Sequence, residues 1–181
     1  MLIQGAPPVK FNPPYEFGRS DISNAGVTVA VEQGWAGTRK GTSRIEATLR
    51  FTGPATAEDR WAGIAFGTFK DDQTYVDNAA SSQTCYSAFI RRNGTLQLYV
   101  LTPSAATSLG TFAGTAVATA GLAGTVRVAL EVTATGDTFT NMTTGQQVTS
   151  TDTTVPRTTG RVALTFSSAA CFASEVVVTD I

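Results

Sequence analysis

The 181-residue sequence contains no histidine and only two cysteines, and both shortages exclude whole classes of chemistry. Without histidine, a Ser-His-Asp triad, a Cys-His nucleophile pair and a histidine-bearing zinc site are all impossible. Two cysteines are too few to complete a structural zinc tetrahedron. Cys85 and Cys171 allow one disulfide, and the alternative is that both are buried thiols acting as small apolar side chains.

Charge and long apolar runs are also scarce. Thirteen basic and 14 acidic residues give a net charge of -1, and the basic residues form no stripe. We therefore expect no nucleic acid partner. No apolar run approaches the roughly 18 residues of a membrane-spanning helix, so no membrane span is expected.

The first residues lack the basic start and apolar stretch of a secretory signal. A cytosolic product, a chain trimmed of its signal and a virion part released by lysis all remain open. Among these locations, the sequence favours a virion or an extracellular or cell-surface position.

Prolines and aromatic residues concentrate near the N-terminus. Residues 1–24 contain two proline pairs and three aromatic residues: Pro7-Pro8, Pro13-Pro14, Phe11, Tyr15 and Phe17. Proline fixes φ and removes a hydrogen-bond donor, so we interpret this segment as an extended arm that is neither strand nor helix. Its aromatic side chains pack either on the chain's own domain or on another subunit. The second alternative predicts protein partners, or a homo-oligomer, through the arm.

Alternation of apolar and polar residues dominates residues 25–181. One clear example has apolar residues at Ile45, Ala47, Leu49 and Phe51 and polar residues at Arg44, Glu46, Thr48 and Arg50. This period of two is typical of half-buried antiparallel strands. About eleven such segments, separated by turn signals, predict an all-β fold, an antiparallel two-sheet β-sandwich.

The clearest hairpin lies over residues 86–100, with Asn93-Gly94 at its turn. A two-residue turn would place Arg91 opposite Leu96 and mix the two faces of the sheet. A three-residue loop with a bulge keeps apolar residues together, and we predict this register. Its pairs are Ile90 with Leu96, Ala88 with Leu98, and Tyr86 with Val100.

The order of these segments resembles a known family. Trp-Ala-Gly-Ile-Ala-Phe at 61–66 precedes the hairpin, Val-Arg-Val-Ala-Leu-Glu-Val follows at 126–132, and Gly-Arg-Val-Ala-Leu-Thr-Phe at 160–166 leads into a last strand that starts with Phe172. The sequence resembles the concanavalin-A-like, laminin-G-like jelly rolls that occur as accessory modules of carbohydrate-active enzymes and in phage tail proteins. The resemblance implies a jelly-roll fold and a lectin-like role in carbohydrate binding or adhesion.

Catalytic members of that superfamily have a strand on which two glutamates flank an aspartate at alternate positions. No such triplet occurs in this sequence. Glu131 lies alone on its strand, whereas a retaining glycosidase needs two carboxylates about 5 Å apart. We therefore expect no enzyme, and a glycoside hydrolase or its accessory domain is the less favoured alternative.

The predicted hairpin register defines a candidate ligand site. It places Ser87 and the side chains of Phe89, Arg91, Gln97 and Tyr99 on one exposed face opposite the core. Arg127 and Glu131 would join this face if their strand belongs to the same sheet. Aromatic rings beside guanidinium, amide and carboxylate groups suit sugars, whose ring faces stack while hydroxyls hydrogen-bond. The alternatives are a solvated face with an Arg127–Glu131 salt bridge, or a face covered by a partner or the arm.

Acidic residues within 70–78, among them Asp72 and Asp77, offer oxygen ligands. The resemblance implies calcium in such loops, but the spacing matches no calcium motif. We expect a solvated acidic turn and no cofactor, with Ca²⁺ as the alternative.

Together these features predict a non-catalytic carbohydrate-binding or adhesion module, a phage tail or other virion surface component. The expected partner is a glycan or cell-surface polysaccharide. The alternative function is a structural assembly subunit that binds no small ligand.

Overall fold

The computed structural model describes the backbone of residues 9–11, 17–18, 27–30, 42–52, 61–67, 85–102, 105–114, 123–154, 161–166 and 171–180, without the side chains of β1–β3 and of most of β12 and β13. These residues form strands and turns and contain no helix. The strands are β1 (Val9–Phe11), β2 (Phe17–Gly18), β3 (Val27–Ala30), β4 (Ser43–Thr52), β5 (Trp61–Gly67), β6 (Cys85–Arg91), β7 (Leu96–Thr102), β8 (Ala105–Phe112), β9 (Ala123–Val132), β10 (Asp137–Asn141), β11 (Gln147–Ser150), β12 (Arg161–Phe166) and β13 (Cys171–Asp180).

The strands form two antiparallel sheets. The seven-stranded sheet has the order β1-β13-β4-β9-β10-β11, with β2 also paired to β13, and the six-stranded sheet has the order β3-β12-β5-β6-β7-β8. This architecture confirms the predicted all-β, antiparallel two-sheet sandwich. Within the described part of the chain, no helix has the length and apolar character needed to cross a membrane.

The core lies between the sheets and follows the alternation in the sequence. Ile45 and Leu49 of β4 face Leu130 and Val126 of β9 across the strand pair, and all four are buried. Large apolar side chains from the six-stranded sheet, such as Ile64, join the same cluster. Burying one such side chain stabilises the fold by roughly 1.5–3 kcal/mol relative to leaving it in water.

The β6–β7 hairpin has the predicted register. Ile90 pairs with Leu96, and the remaining predicted pairs follow along the strands. Gly94 has a φ of 86°, the left-handed conformation that favours glycine. The Arg91 N–H donates to the Thr95 carbonyl at 2.8 Å, which closes the three-residue loop and confirms the bulged alternative.

The N-terminal arm differs from its prediction in two places. Val9–Phe11 and Phe17–Gly18 are strands, and both pair with β13 of the same chain. The interpretation of residues 1–24 as containing no strand is therefore wrong for these segments. Val9–Phe11 lies between the proline pairs and Phe17–Gly18 follows the second pair, so every residue in both strands retains its backbone donor. The arm's other residues and its aromatic side chains lie outside the described part, and assembly through the arm stays a prediction.

β8 is a strand that the sequence pattern does not indicate. Its eight residues, Ala-Ala-Thr-Ser-Leu-Gly-Thr-Phe, lack alternation of apolar and polar side chains. It is the last strand of the six-stranded sheet, paired with β7, and six of its residues are exposed. Because β8 faces solvent along most of its length, burial imposes no period-two pattern on it.

The two cysteines lie in different sheets. Cys85 is buried in β6, opposite Leu101 of β7. The backbone of Cys171 lies in β13, opposite Phe51 of β4. The side chain of Cys171 lies outside the described residues, so the disulfide stays a prediction.

Candidate functional site

The candidate site is built on β5, β6 and β7, which are neighbours in the six-stranded sheet. Tyr86, Ala88 and Ile90 of β6 point into the core. Because side chains alternate along a strand, Phe89 and Arg91 lie on the opposite face. Strand pairing brings Gln97 and Tyr99 of β7 beside Phe89 and Ser87 of β6 on that outer face, as predicted.

Three rings form a row across this face, one from each strand. The Trp61 and Phe89 ring centroids are 4.8 Å apart, and the Phe89 and Tyr99 centroids are 5.5 Å apart. These distances are typical of favourable aromatic pairs. We call Trp61, Phe89 and Tyr99 the aromatic row. The sequence pattern indicates the strand of Trp61 but not this contact. Ala62 and Ile64 lie in the core, so alternation places Trp61 on the outer face.

Polar groups border the aromatic row. The Arg91 guanidinium carbon lies 5.6 Å from the Phe89 ring centroid, a cation–π distance. Arg91 Nε donates a hydrogen bond to Gln97 Oε1. Gln97 Nε2 in turn donates to Tyr99 Oη at 3.4 Å and to Thr111 Oγ1 of β8 at 3.5 Å. Guanidinium, amide and phenol groups are therefore held in one connected set.

Burial on this face is greater than predicted. Phe89 is only 6% exposed and Gln97 8%, whereas Arg91 and Tyr99 are half-buried. The expectation of an exposed face is thus wrong for Phe89 and Gln97, and also for Ser87, which is buried. The Trp61 and Tyr99 rings and the Arg91 guanidinium contact the Phe89 ring, whereas Ser87 pairs with Ala65, which belongs to a second buried apolar cluster with Cys85 and Leu101. Arg91 and Tyr99 are the members of the set that a ligand would meet first.

Arg127 and Glu131 do not belong to this site. Their strand, β9, lies between β4 and β10 in the other sheet. We expected Arg127 and Glu131 to join the site only if their strand belonged to the same sheet as the hairpin. They lie instead on the outer face of the seven-stranded sheet. The prediction of one six-residue site is corrected to a four-residue set, Phe89, Arg91, Gln97 and Tyr99, joined by Trp61.

Arg127 and Glu131 instead join a network with two residues of β4. Arg127 Nη2 donates to Glu46 Oε2 at 2.6 Å, Arg44 Nε donates to Glu46 Oε1 at 2.8 Å, and Arg44 Nη1 donates to Glu131 Oε1. We call these four residues the charged network. The predicted Arg127–Glu131 salt bridge is replaced by pairs that cross from β9 to β4, because Glu131 lies directly opposite Arg44.

The charged network shifts the pKa values of Glu46 and Arg44. Partial burial alone would raise the pKa of Glu46, but hydrogen bonds from Arg44 and Arg127 outweigh it and hold that pKa below its ordinary value. The hydrogen bond to Glu46 raises the pKa of Arg44 above its ordinary value.

Strand pairing thus places a second carboxylate, Glu46, near Glu131 through their shared partner Arg44. The sequence pattern around Glu131 does not indicate this neighbour. A glycosidase, however, needs one carboxyl group that stays protonated to donate to the leaving oxygen. Glu46 is held ionised by two guanidinium groups, so it does not fit the role of that protonated acid.

The described residues contain no candidate metal site. Among the residues that the structure describes, no group of three or more acidic or cysteine side chains is arranged to hold a metal ion. The predicted calcium loop, residues 70–78, lies outside them.

No protein-family model matches the chain, and no curated protein matches it in sequence. Solved structures do match it in fold. The carbohydrate binding module CBM66 from Bacillus subtilis aligns with 95% of this chain and 94% of its own, with a TM-score of 0.63 and 9% identity. A complex of toad ovary galectin with N-acetylgalactose aligns over 87% of this chain and 100% of its own, with a TM-score of 0.52 and 12% identity.

The Caenorhabditis elegans galectin LEC-6 aligns over 91% of this chain and 95% of its own, with a TM-score of 0.52 and 12% identity. The fold is a jelly-roll β-sandwich. At these identities the likeness concerns the fold alone. The narrower concanavalin-A-like and laminin-G-like label stays a prediction.

Proposed function

We propose that this chain is a non-catalytic carbohydrate-binding module that contacts its glycan through the outer face of the six-stranded sheet. The observation that supports this most is the aromatic row with its attached polar set. Tyr99 offers a half-buried ring, and Arg91 offers a half-buried guanidinium held in place by Gln97. The structural neighbours, a carbohydrate binding module and galectins, support the same ligand class.

The chemistry of the face fits a saccharide. A pyranose or furanose ring presents C–H groups that stack on an aromatic ring and hydroxyls that need planar donors and acceptors. Arg91 has several N–H donors fixed in one plane. Because Gln97 and Phe89 already position that plane, little side-chain entropy is lost when a ligand binds.

Binding is tested by screening the full chain against immobilised glycans and polysaccharides, followed by titration calorimetry with the best ligand. Tyr99→Ala and Arg91→Ala are each expected to weaken binding about tenfold or more, which corresponds to about 1.4 kcal/mol. Arg127→Ala and Glu131→Gln are the matched controls, since both residues lie on the opposite face. Binding that survives Tyr99→Ala and Arg91→Ala but is lost in Arg127→Ala would contradict the proposed face.

Absence of catalysis is part of the proposal and needs its own assay. The chain is incubated with the polysaccharides it binds, and new reducing ends are measured. We expect none above a protein-free control. Release of reducing ends that disappears in both Glu131→Gln and Glu46→Gln would instead establish a hydrolase centred on the charged network.

The virion or cell-surface location is a separate proposal that rests on sequence resemblance. Immunogold labelling of intact particles and cells is the direct check. Label confined to the cell interior would contradict it without affecting the glycan-binding proposal.

A further inference from the structure

β8 differs from the other strands at the ends of the two sheets. It has eight residues, whereas β11 and β3 have four each and β1 has three. Natural proteins usually keep edge strands short, or protect them with lysine, proline or a bulge, because unpaired backbone groups invite another strand. β8 is the longest described edge, it contains neither a charged residue nor a proline, and its bulge lies at Leu109, beyond residues 105–108.

The two halves of β8 differ in their surroundings. The pairing of β8 with β7 shifts register between Leu98 and Tyr99, which marks a bulge. Beyond this point, Leu109 packs against the core, and a Cβ built on Gly110 would lie 2.8 Å from Val148 Cγ2 of β11. The second half of β8 is therefore held against the other sheet. The first half, residues 105–108, is exposed at every position.

We propose that residues 105–108 are an interaction surface for a second copy of this chain, which adds its own β8 in antiparallel register. The absence of charge favours this occupant. When a strand pairs with its own copy, every charged residue risks facing a like charge, and facing like charges destabilise a sheet. An Ala-Ala-Thr-Ser segment meets no such repulsion in any register. Its Thr107 and Ser108 hydroxyls can also form cross-strand hydrogen bonds.

The pairing is short, so the dimer forms weakly and in a concentration-dependent manner. Its symmetry follows from the geometry of a sheet. Antiparallel pairing of two identical edges requires a two-fold axis perpendicular to the sheet. That axis leaves the outer faces of both six-stranded sheets on the same side. The dimer is independent of glycan binding, but if the proposed function holds, its two aromatic rows point in one direction.

Sedimentation equilibrium of the full chain over a wide dilution series measures the assembly. The wild-type chain is expected to move from the 18.9 kDa monomer toward twice that mass as concentration rises. Thr107→Lys and Thr107→Glu each place like charges near the axis, so each variant alone is expected to stay monomeric. An equimolar mixture of the two variants should recover the dimer, because lysine then faces glutamate.

Thr149→Lys is the matched control, since Thr149 is an exposed residue on β11, the edge of the other sheet. It should assemble like the wild type, and circular dichroism checks that all variants are folded. A chain that stays monomeric at every concentration overturns the proposal. So does a mixture of folded charge variants that fails to recover the dimer, or a Thr149→Lys variant that alone loses it.

Discussion

Gly63 faces Phe89 on the neighbouring strand, and the space between them is too small for a side chain. A Cβ at position 63 would lie 2.1 Å from the Ala88 carbonyl oxygen and 2.5 Å from Phe89 Cα. Gly63→Ala is therefore expected to force β5 and β6 apart and to lower the free energy of unfolding by about 3 kcal/mol. Urea denaturation measures the change.

The same substitution should weaken glycan binding, because the middle ring of the aromatic row moves. Thr149→Ala, an exposed change, serves as control and should stay within about 0.5 kcal/mol of the wild type. Wild-type stability in Gly63→Ala would show that the strand pair tolerates a methyl group at this position.

Glu46 gives the fold a pH dependence at the residue scale. Its pKa is lower in the folded chain than its ordinary value of 4.5. A carboxyl with a depressed folded pKa stabilises the fold above the unfolded value, and this contribution disappears as the pH falls through the folded value. Glu46→Gln should therefore be less stable than wild type at neutral pH, by less than about 1 kcal/mol for a partly exposed pair.

The difference between Glu46→Gln and wild type should close below pH 4.5, as measured by thermal unfolding across a pH series. Glu175→Gln is a useful comparison, because Glu175 is exposed and accepts a hydrogen bond from Thr48 rather than from an arginine. If the stability difference between Glu46→Gln and wild type instead widens in acid, the stabilising contribution of Glu46 does not come from its ionised form.

At the residue scale, the sequence pattern indicates the right residue types for the site but not all of their neighbours. Alternation placed Phe89, Arg91, Gln97 and Tyr99 together because all four belong to one hairpin. The partner of Glu131 is 87 positions away in β4, and local spacing has no information about such a distance. The contact of Trp61 with Phe89 likewise depends on the pairing of β5 with β6, which local spacing does not indicate.

Turn geometry controls the β10–β11 hairpin at the scale of a single element. Gly145 has a φ of 74° and no atom within 4 Å of a built Cβ, so only the backbone conformation opposes a side chain there. Gly145→Ala is expected to lower the free energy of unfolding by about 1–2 kcal/mol, the cost of the left-handed conformation. Gly145→Asn should lose less, because asparagine tolerates this conformation. Equal losses in urea denaturation would contradict this cause.

Elements were predictable where burial constrained them. The β6–β7 register follows from matching apolar residues, and only one register keeps Ile90 opposite Leu96. β8 lacks that constraint, since residues 105–108 are exposed and both of its faces tolerate small polar side chains. β1 and β2 were missed because prolines dominate the composition around them, although their own residues retain backbone donors.

At the scale of the whole molecule, one apolar core holds the two sheets together. Leu130 is fully buried and lies in the cluster shared by both sheets. Leu130→Ala is expected to lower the free energy of unfolding by about 2–5 kcal/mol, through lost transfer energy and a cavity. Thr125→Ala, an exposed change on the same strand, is the control and should be nearly neutral. Chemical denaturation of both variants compares them, and equal effects would place Leu130 outside the cooperative core.

The whole-molecule architecture was predictable only in part. Period-two alternation shows that β9 has a buried and an exposed face, but the same pattern results in either sheet of a sandwich. Assignment of β9 to the seven-stranded sheet depends on its pairing with β4 over ten positions. That pairing separates Arg127 and Glu131 from the aromatic row by the full thickness of the core.

This back-to-back arrangement makes the molecule directional. The charged network lies on the outer face of the seven-stranded sheet, and the aromatic row lies on the outer face of the six-stranded sheet. Chemical coupling to a bead through the charged side would leave Arg91 and Tyr99 of every molecule facing solvent, whereas coupling through the other side would hide them. Orientation on a support, rather than the amount loaded, would then set how much polysaccharide the coated bead retains.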